Sequence, residues 1–181
     1  MTQIFGEPVL RREDARLTTG RGRYLDDLGH GTAAAAFVRS PHAHALVRDI
    51  DVTPALDVDG LLAVYTYEDL TGPLAEPLPL LIPHPALTGG RTGYPLANGV
   101  VRHVGEPVVM VVATDRYVAE DAVGLIEVTY EPLPPVVGIE AARAAERLVH
   151  NDVPDNVAAH LVQDTGDVEA ELAAAPHRLR F

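Results

Sequence analysis

The stretch VVMVVATDRYVAEDAVGLIEVTYEPLPPVV, residues 108–137, decides the fold class. It opens with a continuous apolar run, which is typical of a strand covered on both faces. Asp115 is placed to cap a helix over 116–126, in which Val118, Ala122 and Leu125 follow helical spacing. Residues 126–137 then have the pattern of a strand ended by prolines. The succession of strand, helix and strand predicts a domain that mixes both element types.

Further strands are predicted on the N-terminal side of this unit. The segments AAAAFVRS at 33–40, HALVRDIDV at 44–52 and LLAVYTYEDL at 61–70 each have strand character. Residues 53–60 predict one or two helical turns, and 98–107 predict a short strand followed by a turn. The expected fold class is therefore α+β, with a mixed sheet and a few packed helices.

The segment from Thr71 to Asn98 is rich in proline and glycine, which predicts a long surface loop. Beyond the opening stretch, helices are expected at 138–148 and from Asp167 to Ala175, and a final strand is expected to begin at His177. These patterns divide the chain into an extended N-terminal arm (1–30), a main domain (31–140) and a connector (141–181).

Composition narrows the classes of partner. The net charge is −12, from 26 acidic residues against 14 basic ones, and every basic residue is arginine. Nucleic acid and anionic membrane are therefore poor partners. No apolar run reaches the length of a membrane span, and the N-terminus lacks the apolar core of a signal peptide, so the expected location is the cytoplasm. The absence of cysteine excludes a thiolate nucleophile and cysteine-ligated clusters within this sequence.

The stretch FVRSPHAHALVRDID, residues 37–51, holds the only serine and a pair of histidines. In an extended segment His42 and His44 would share one face and could begin a metal site. The other six histidines are scattered, so a third ligand is not evident. Ser40 as a nucleophile lacks the G-x-S-x-G turn and precedes Pro41, which holds it extended. The competing interpretation is a set of hydrogen bonds that fixes the entrance to a strand.

Two other parts of the sequence allow a functional interpretation. TTGRGRY, residues 18–24, could be taken for a phosphate-binding loop, but no lysine and no capped amphipathic helix follow it. Glu106 lies where a loop enters the buried strand, a position where a lone carboxylate is partly desolvated. The expected role of Glu106 is a structural hydrogen bond to backbone amides.

Several segments together resemble the N-terminal part of the large, molybdopterin-binding subunits of molybdenum hydroxylases, the group of xanthine dehydrogenase, aldehyde oxidase and aerobic carbon monoxide dehydrogenase. These segments are residues 6–28, 35–51, 100–137, 150–158 and 166–177. The opening RREDARLTTGRGRY and the segment VGEPV look more like the bacterial subunits of the carbon monoxide dehydrogenase type.

The resemblance implies an α/β hammerhead domain with a structural and subunit-docking role and no catalytic centre of its own. It implies that the chain binds no cofactor itself. The complete complex would hold molybdopterin of the cytosine dinucleotide type, iron–sulfur clusters and FAD. The implied partners are a molybdopterin-binding domain or subunit, an iron–sulfur subunit and a flavin subunit. The residues that match family motifs, as structural or interface positions, are Gly20, Tyr24, Asp26, Arg39, Ser40, His42, His44, Gly105, Glu106 and Pro107.

Two alternatives remain open at this point. The chain could be a stand-alone binding or scaffold module that has lost its catalytic partner. It could also be a metal protein that uses His42 and His44.

Overall fold

A computed structural model describes residues 6, 8, 10–28, 32–80, 83–87, 91–164 and 166–179. The strands are β1 (Ala34–Arg39), β2 (Ala45–Asp51), β3 (Leu61–Tyr65), β4 (Val100–Val101), β5 (Pro107–Ala113) and β6 (Glu127–Pro132). The helices are α1 (Asp14–Leu17), α2 (Arg116–Leu125), α3 (Ile139–Ala144) and α4 (Val168–Ala174). Four short 3-10 turns at 25–28, 53–55, 67–69 and 72–75 complete the elements assigned in these residues.

The strands form two three-stranded sheets, in the orders β1-β5-β3 and β4-β2-β6. Every pairing is antiparallel. The predicted α+β class is confirmed, but the single mixed sheet is replaced by two antiparallel sheets. The reason is that β5 is flanked on both sides by strands that run opposite to it, and β2 is likewise flanked by β4 and β6.

Strand β5 carries the core, as its apolar run predicts. Val108, Val109 and Val111 are fully buried. Helix α2 covers one face of this sheet and buries the small side chains of Ala119 and Ala122, which let the helix approach closely. All but two of the buried apolar residues in the described ranges are alanine or valine, so the sparse aromatic residues contribute little to this core.

The start of α2 forms as its sequence predicts. The Asp115 carboxylate accepts hydrogen bonds from the Tyr117 and Val118 amides at 2.9 and 3.1 Å, which satisfies two of the unpaired donors of the first turn. Leu125, one of the residues at helical spacing, lies on the exposed side near the helix end. The buried stripe of α2 therefore runs through its alanines instead.

The turn before β3 depends on glycine. Gly60 has φ +88°, and its carbonyl accepts a hydrogen bond from the Thr114 amide at 2.9 Å. A β-carbon at this position would lie 2.7 Å from Thr114 Oγ1. The turn thus places β3 beside β5 at a spacing that only glycine fits.

The N-terminal segment differs from the predicted extended arm. Residues 14–17 form the single helical turn α1, and the hydroxyls of Thr18 and Thr19 donate to the carbonyls of Asp14 and Ala15, both at 2.7 Å. These side-chain bonds satisfy carbonyls at the end of the turn and explain why it closes.

The C-terminal region contains α3 and α4. Helix α3 is shorter than the helix predicted over 138–148, and α4 agrees with the predicted helix to within one residue at each end. Of the strand expected from His177, residues 177–179 have no strand structure, and residues 180 and 181 lie outside the described residues. The loop Thr71–Asn98 contains the 3-10 turn at 72–75 and is otherwise irregular where it is described, and an isolated bridge joins its Leu87 to Ala159. No helix in the described ranges is both long and apolar enough to cross a bilayer.

Candidate functional site

Two of the predicted motifs meet where β1 ends and β5 begins. The Ser40 amide donates to the Glu106 carbonyl at 2.9 Å, and the Gly105 amide donates to the Ser40 carbonyl at 2.8 Å. The Arg39 guanidinium also donates to the Gly105 carbonyl at 2.8 Å. Gly105 has φ +88°, a conformation that favours glycine in this turn. Pro107 continues the join, since its carbonyl accepts from the Ala97 amide at 2.8 Å.

Ser40 is held as part of a turn. The residue is only 2% exposed. The hydroxyl donates to the His42 carbonyl and accepts from the His42 amide, both at 3.0 Å. The hydroxyl is therefore bound to backbone groups, and in the described residues it makes no hydrogen bond to a histidine or carboxylate side chain, in contrast to an activated nucleophile.

The two histidines lie in the connection between β1 and β2. They do not lie on a strand, where the prediction of an extended segment had placed them. The His42 ring packs at a tilt against Tyr130, with 5.0 Å between ring centroids. His44 Nδ1 lies 3.1 Å from the Pro134 carbonyl oxygen and donates to it. No group of three or more metal-ligating side chains is found in the part of the chain that the structure describes. The structure therefore offers the metal hypothesis no third ligand there.

Tyr130 completes this cluster with a buried hydroxyl. Among the described residues, no group makes a hydrogen bond of good geometry to that oxygen. Burial raises the pKa of Tyr130 above its ordinary value, and the nearby Ser40 hydroxyl partly offsets the effect. The Tyr130 hydroxyl is therefore held neutral beside the serine and histidine of the motif.

Glu106 is buried, with 7% exposure, and its carboxylate bonds the backbone as the sequence predicts. Its Oε2 accepts a hydrogen bond from the Arg102 amide. His103 Nδ1 lies 3.4 Å from the same oxygen. The carboxylate thus closes the turn between β4 and β5.

Beside this turn lies a cleft of about 460 Å³, formed by three segments distant in sequence: the end of the proline-rich loop, the turn of Glu106 and the loop at 150–152. Arg91 and Asp152, which both line the cleft, form an ion pair. Arg102 is half-buried, and its Nε donates to the Val149 carbonyl at 3.2 Å. His150 completes the group of charged and titratable side chains.

The loop that supplies His150 is organised by Asn156. Its Oδ1 accepts from the Val149 amide at 2.9 Å, and its Nδ2 donates to the carbonyls of Ala142 and Arg147 at 3.0 and 2.8 Å. Sequence reasoning missed Asn156, Arg102 and His150 as site residues. The signal available was that they lie within the segments 100–137 and 150–158, which resemble the family.

His150 provides a prediction. Burial lowers the pKa of His150, the positive charges of Arg102 and Arg91 lower it further, and Asp152 and Glu106 oppose this. We expect the imidazole proton shifts to titrate below the ordinary value of about 6.5. Arg102→Gln should raise the pKa of His150. His150→Gln assigns the resonance, and an unchanged titration in Arg102→Gln would contradict the electrostatic cause.

The lowered pKa of His150 also makes the free energy of unfolding depend on pH. The folded state favours neutral His150, so the unfolded state takes up the proton more readily. His150 therefore stabilises the folded state above its ordinary pKa of about 6.5. This contribution to the free energy of unfolding is lost as the pH falls through the lowered pKa of the folded state.

The remaining motif residues lie in the N-terminal segment. Gly20 has φ +69° after α1. The Tyr24 amide donates to Asp27 Oδ2 at 2.8 Å, and the side chain of Tyr24 is exposed. Asp26 belongs to the 3-10 turn at 25–28. The structure therefore joins Arg39, Ser40, Gly105, Glu106 and Pro107, places His42 and His44 nearby, and leaves Gly20, Tyr24 and Asp26 in a separate segment.

Comparison with known proteins defines the class to which this architecture belongs. Residues 19–134 match the family described as aldehyde oxidase and xanthine dehydrogenase, a/b hammerhead domain. The fold of two small antiparallel sheets with a packed helix is thus the α/β hammerhead. The chain belongs to the aldehyde oxidase and xanthine dehydrogenase family.

Individual relatives agree with this assignment. The chain is 38% identical to the nicotine 6-hydroxylase large subunit of Paenarthrobacter nicotinovorans, over 96% of this chain and 21% of that protein. It is 39% identical to the carbon monoxide dehydrogenase large chain of Afipia carboxidovorans, over 81% of this chain and 18% of that protein. It superposes on quinoline 2-oxidoreductase from Pseudomonas putida 86 with TM-score 0.71 and 40% identity, over 95% of this chain and 22% of that chain. The chain therefore spans about a fifth of the length of these relatives.

Proposed function

We propose that this chain acts as the hammerhead portion of a molybdopterin-dependent oxidoreductase, with a structural and subunit-docking role and no catalytic centre of its own. In this proposal residues 31–140 are the hammerhead domain, residues 1–30 an N-terminal arm, and residues 141–181 a connector toward a molybdopterin-binding domain or subunit. Iron–sulfur and flavin subunits are the further proposed partners. The motif residues, Ser40 and Glu106 among them, serve as structural or interface positions.

The observation that carries this proposal is the exposed apolar surface of the connector. Leu161, Val162 and Leu172 are 62%, 72% and 52% exposed. The proline-rich loop adds exposed Leu74 and Leu78. Large exposed apolar side chains are typical of surfaces that a partner covers.

The chemistry of the chain supports a partner that holds the cofactors. Iron–sulfur clusters of this type need thiolate ligands, and the sequence has no cysteine. No cluster of metal ligands is present in the described ranges. The redox centres are therefore proposed to reside in the partner domains.

The test is purification of the affinity-tagged chain from its native host. We expect molybdenum, an oxidised pterin with its fluorescence, iron and flavin to copurify in fixed ratio with the chain. Leu161→Ser with Leu172→Ser should release them, while Leu56→Ser, an equally apolar exposed residue outside the connector, should not. A sharply melting monomer without pterin, or a tagged chain that turns over a substrate alone, would refute the proposal.

A further inference from the structure

Arg102 has an incomplete set of partners. It is half-buried, and the one hydrogen bond of its guanidinium within the described residues is the 3.2 Å contact from Nε to the Val149 carbonyl. Among the residues that the structure describes, no carboxylate forms an ion pair with it. A guanidinium has five N–H donors arranged to meet two oxygen atoms at once. Partial burial makes a charge without a counterion costly, so the free donors favour an anion.

The neighbouring carboxylates are already engaged. The Glu106 carboxylate accepts the backbone amide of Arg102 and lies 3.4 Å from His103 Nδ1, and in the described residues it forms no ion pair with the Arg102 guanidinium. Asp152 pairs with Arg91, which also lines the cleft. The two acidic groups that line the cleft therefore have partners other than the Arg102 guanidinium.

The cleft is lined by two arginines, Arg91 and Arg102, and by two carboxylates, Glu106 and Asp152, so its charges balance although the whole chain carries −12. The positive charge of Arg102 reaches His150 and favours its neutral form. Carboxylates elsewhere on the surface are screened beyond a Debye length of about 8 Å at physiological ionic strength. The cleft, at about 460 Å³, has room for a small oxyanion together with water.

We propose that this cleft binds an oxyanion, a phosphate or a carboxylate group, with the Arg102 guanidinium as its main ligand. Arg91, His103 and His150 line the same cleft and can donate further hydrogen bonds. The site lies wholly within this chain and does not depend on the proposed docking role. Its failure would leave that role untouched.

The test is an NMR titration of the full chain with sodium phosphate and, separately, with sodium acetate, at ionic strength held constant with sodium chloride. We expect saturable shifts of the His150 ring protons and of the Arg102 amide with at least one of the two anions. Phosphate binding alone would identify a phosphate-type ligand, and acetate binding alone would identify a carboxylate. If phosphate and acetate both give only the shifts that sodium chloride gives at the same ionic strength, the proposal is wrong.

Two arginine variants locate the site. Arg102→Gln should weaken binding by about tenfold or more, since a hydrogen bond to a charged group contributes about 1.5–3 kcal/mol. Arg143→Gln removes the same charge from α3, outside the cleft, and should bind like the wild type. Equal affinity in Arg102→Gln and the wild type would also overturn the proposal.

A third variant keeps the proposal testable if Arg102→Gln does not fold. Arg102→Lys keeps the charge but loses the paired donors, and it should bind with intermediate affinity. Amide spectra of each variant establish that it is folded before the titration. Wild-type affinity in folded Arg102→Lys would contradict the role of the paired donors.

Discussion

Replacing Glu106 with alanine is expected to lower the free energy of unfolding by about 2–3 kcal/mol. The carboxylate is buried and accepts the Arg102 amide within the turn that joins β4 to β5. Its loss removes a hydrogen bond to a charged group and leaves a backbone donor without its partner. The same turn joins Gly105 to Ser40, so the end of β1 should loosen as well. Urea unfolding followed by circular dichroism measures the change.

Two variants separate the hydrogen bond from the charge. Glu106→Gln keeps an acceptor oxygen for the Arg102 amide and should lose less stability than Glu106→Ala. Glu76→Ala removes an exposed carboxylate from the proline-rich loop and should change stability by less than about 0.5 kcal/mol. Equal losses in Glu106→Ala and Glu76→Ala would show that the buried bond contributes nothing.

Gly60→Ala is expected to destabilise the protein by about 1–3 kcal/mol, because alanine is strained at φ +88° and its β-carbon would meet Thr114 Oγ1 at 2.7 Å. Gly124→Ala is the matched control. Its β-carbon would meet no atom within 4 Å, and it lies inside α2. This second change should stabilise the protein by about 0.5–1 kcal/mol. Thermal and urea unfolding of the two variants should therefore shift in opposite directions.

The two causes at Gly60 can also be separated. Thr114→Ala removes the oxygen that the new β-carbon would meet, and Thr114 is exposed. In that background Gly60→Ala should cost only the backbone strain. A double-mutant cycle gives the difference as a coupling free energy. Stabilisation by Gly60→Ala in either background would contradict the strained turn.

The local elements of the fold could be predicted from the sequence because their signals lie within a few residues. The apolar run of β5, the Asp115 cap and the prolines after β6 each specify an element by short-range physics. The division into two sheets could not be predicted in this way. It depends on pairing Phe37 with Met110 and Val47 with Tyr130, and neither partner marks the other in sequence.

The candidate site shows the same limit. The roles of Ser40 and Glu106 in backbone hydrogen bonds follow from their positions beside a proline and at a strand entrance. The cleft around Arg102 is formed by loops from three parts of the chain, and loops have no periodic pattern. The short helix α1 was missed because the bonds from Thr18 and Thr19 that close it are not predicted by composition.

The position of β5 between β1 and β3 has a consequence for biosynthesis. During translation β1 and β3 leave the ribosome first, and the strand that pairs with both follows only at residues 107–113. Until then both earlier strands have unpaired edges, which are the features that promote aggregation of nascent chains. Closure of this sheet is a long-range event with a high loop-entropy cost, so folding should be slow and completed only after β5 has emerged.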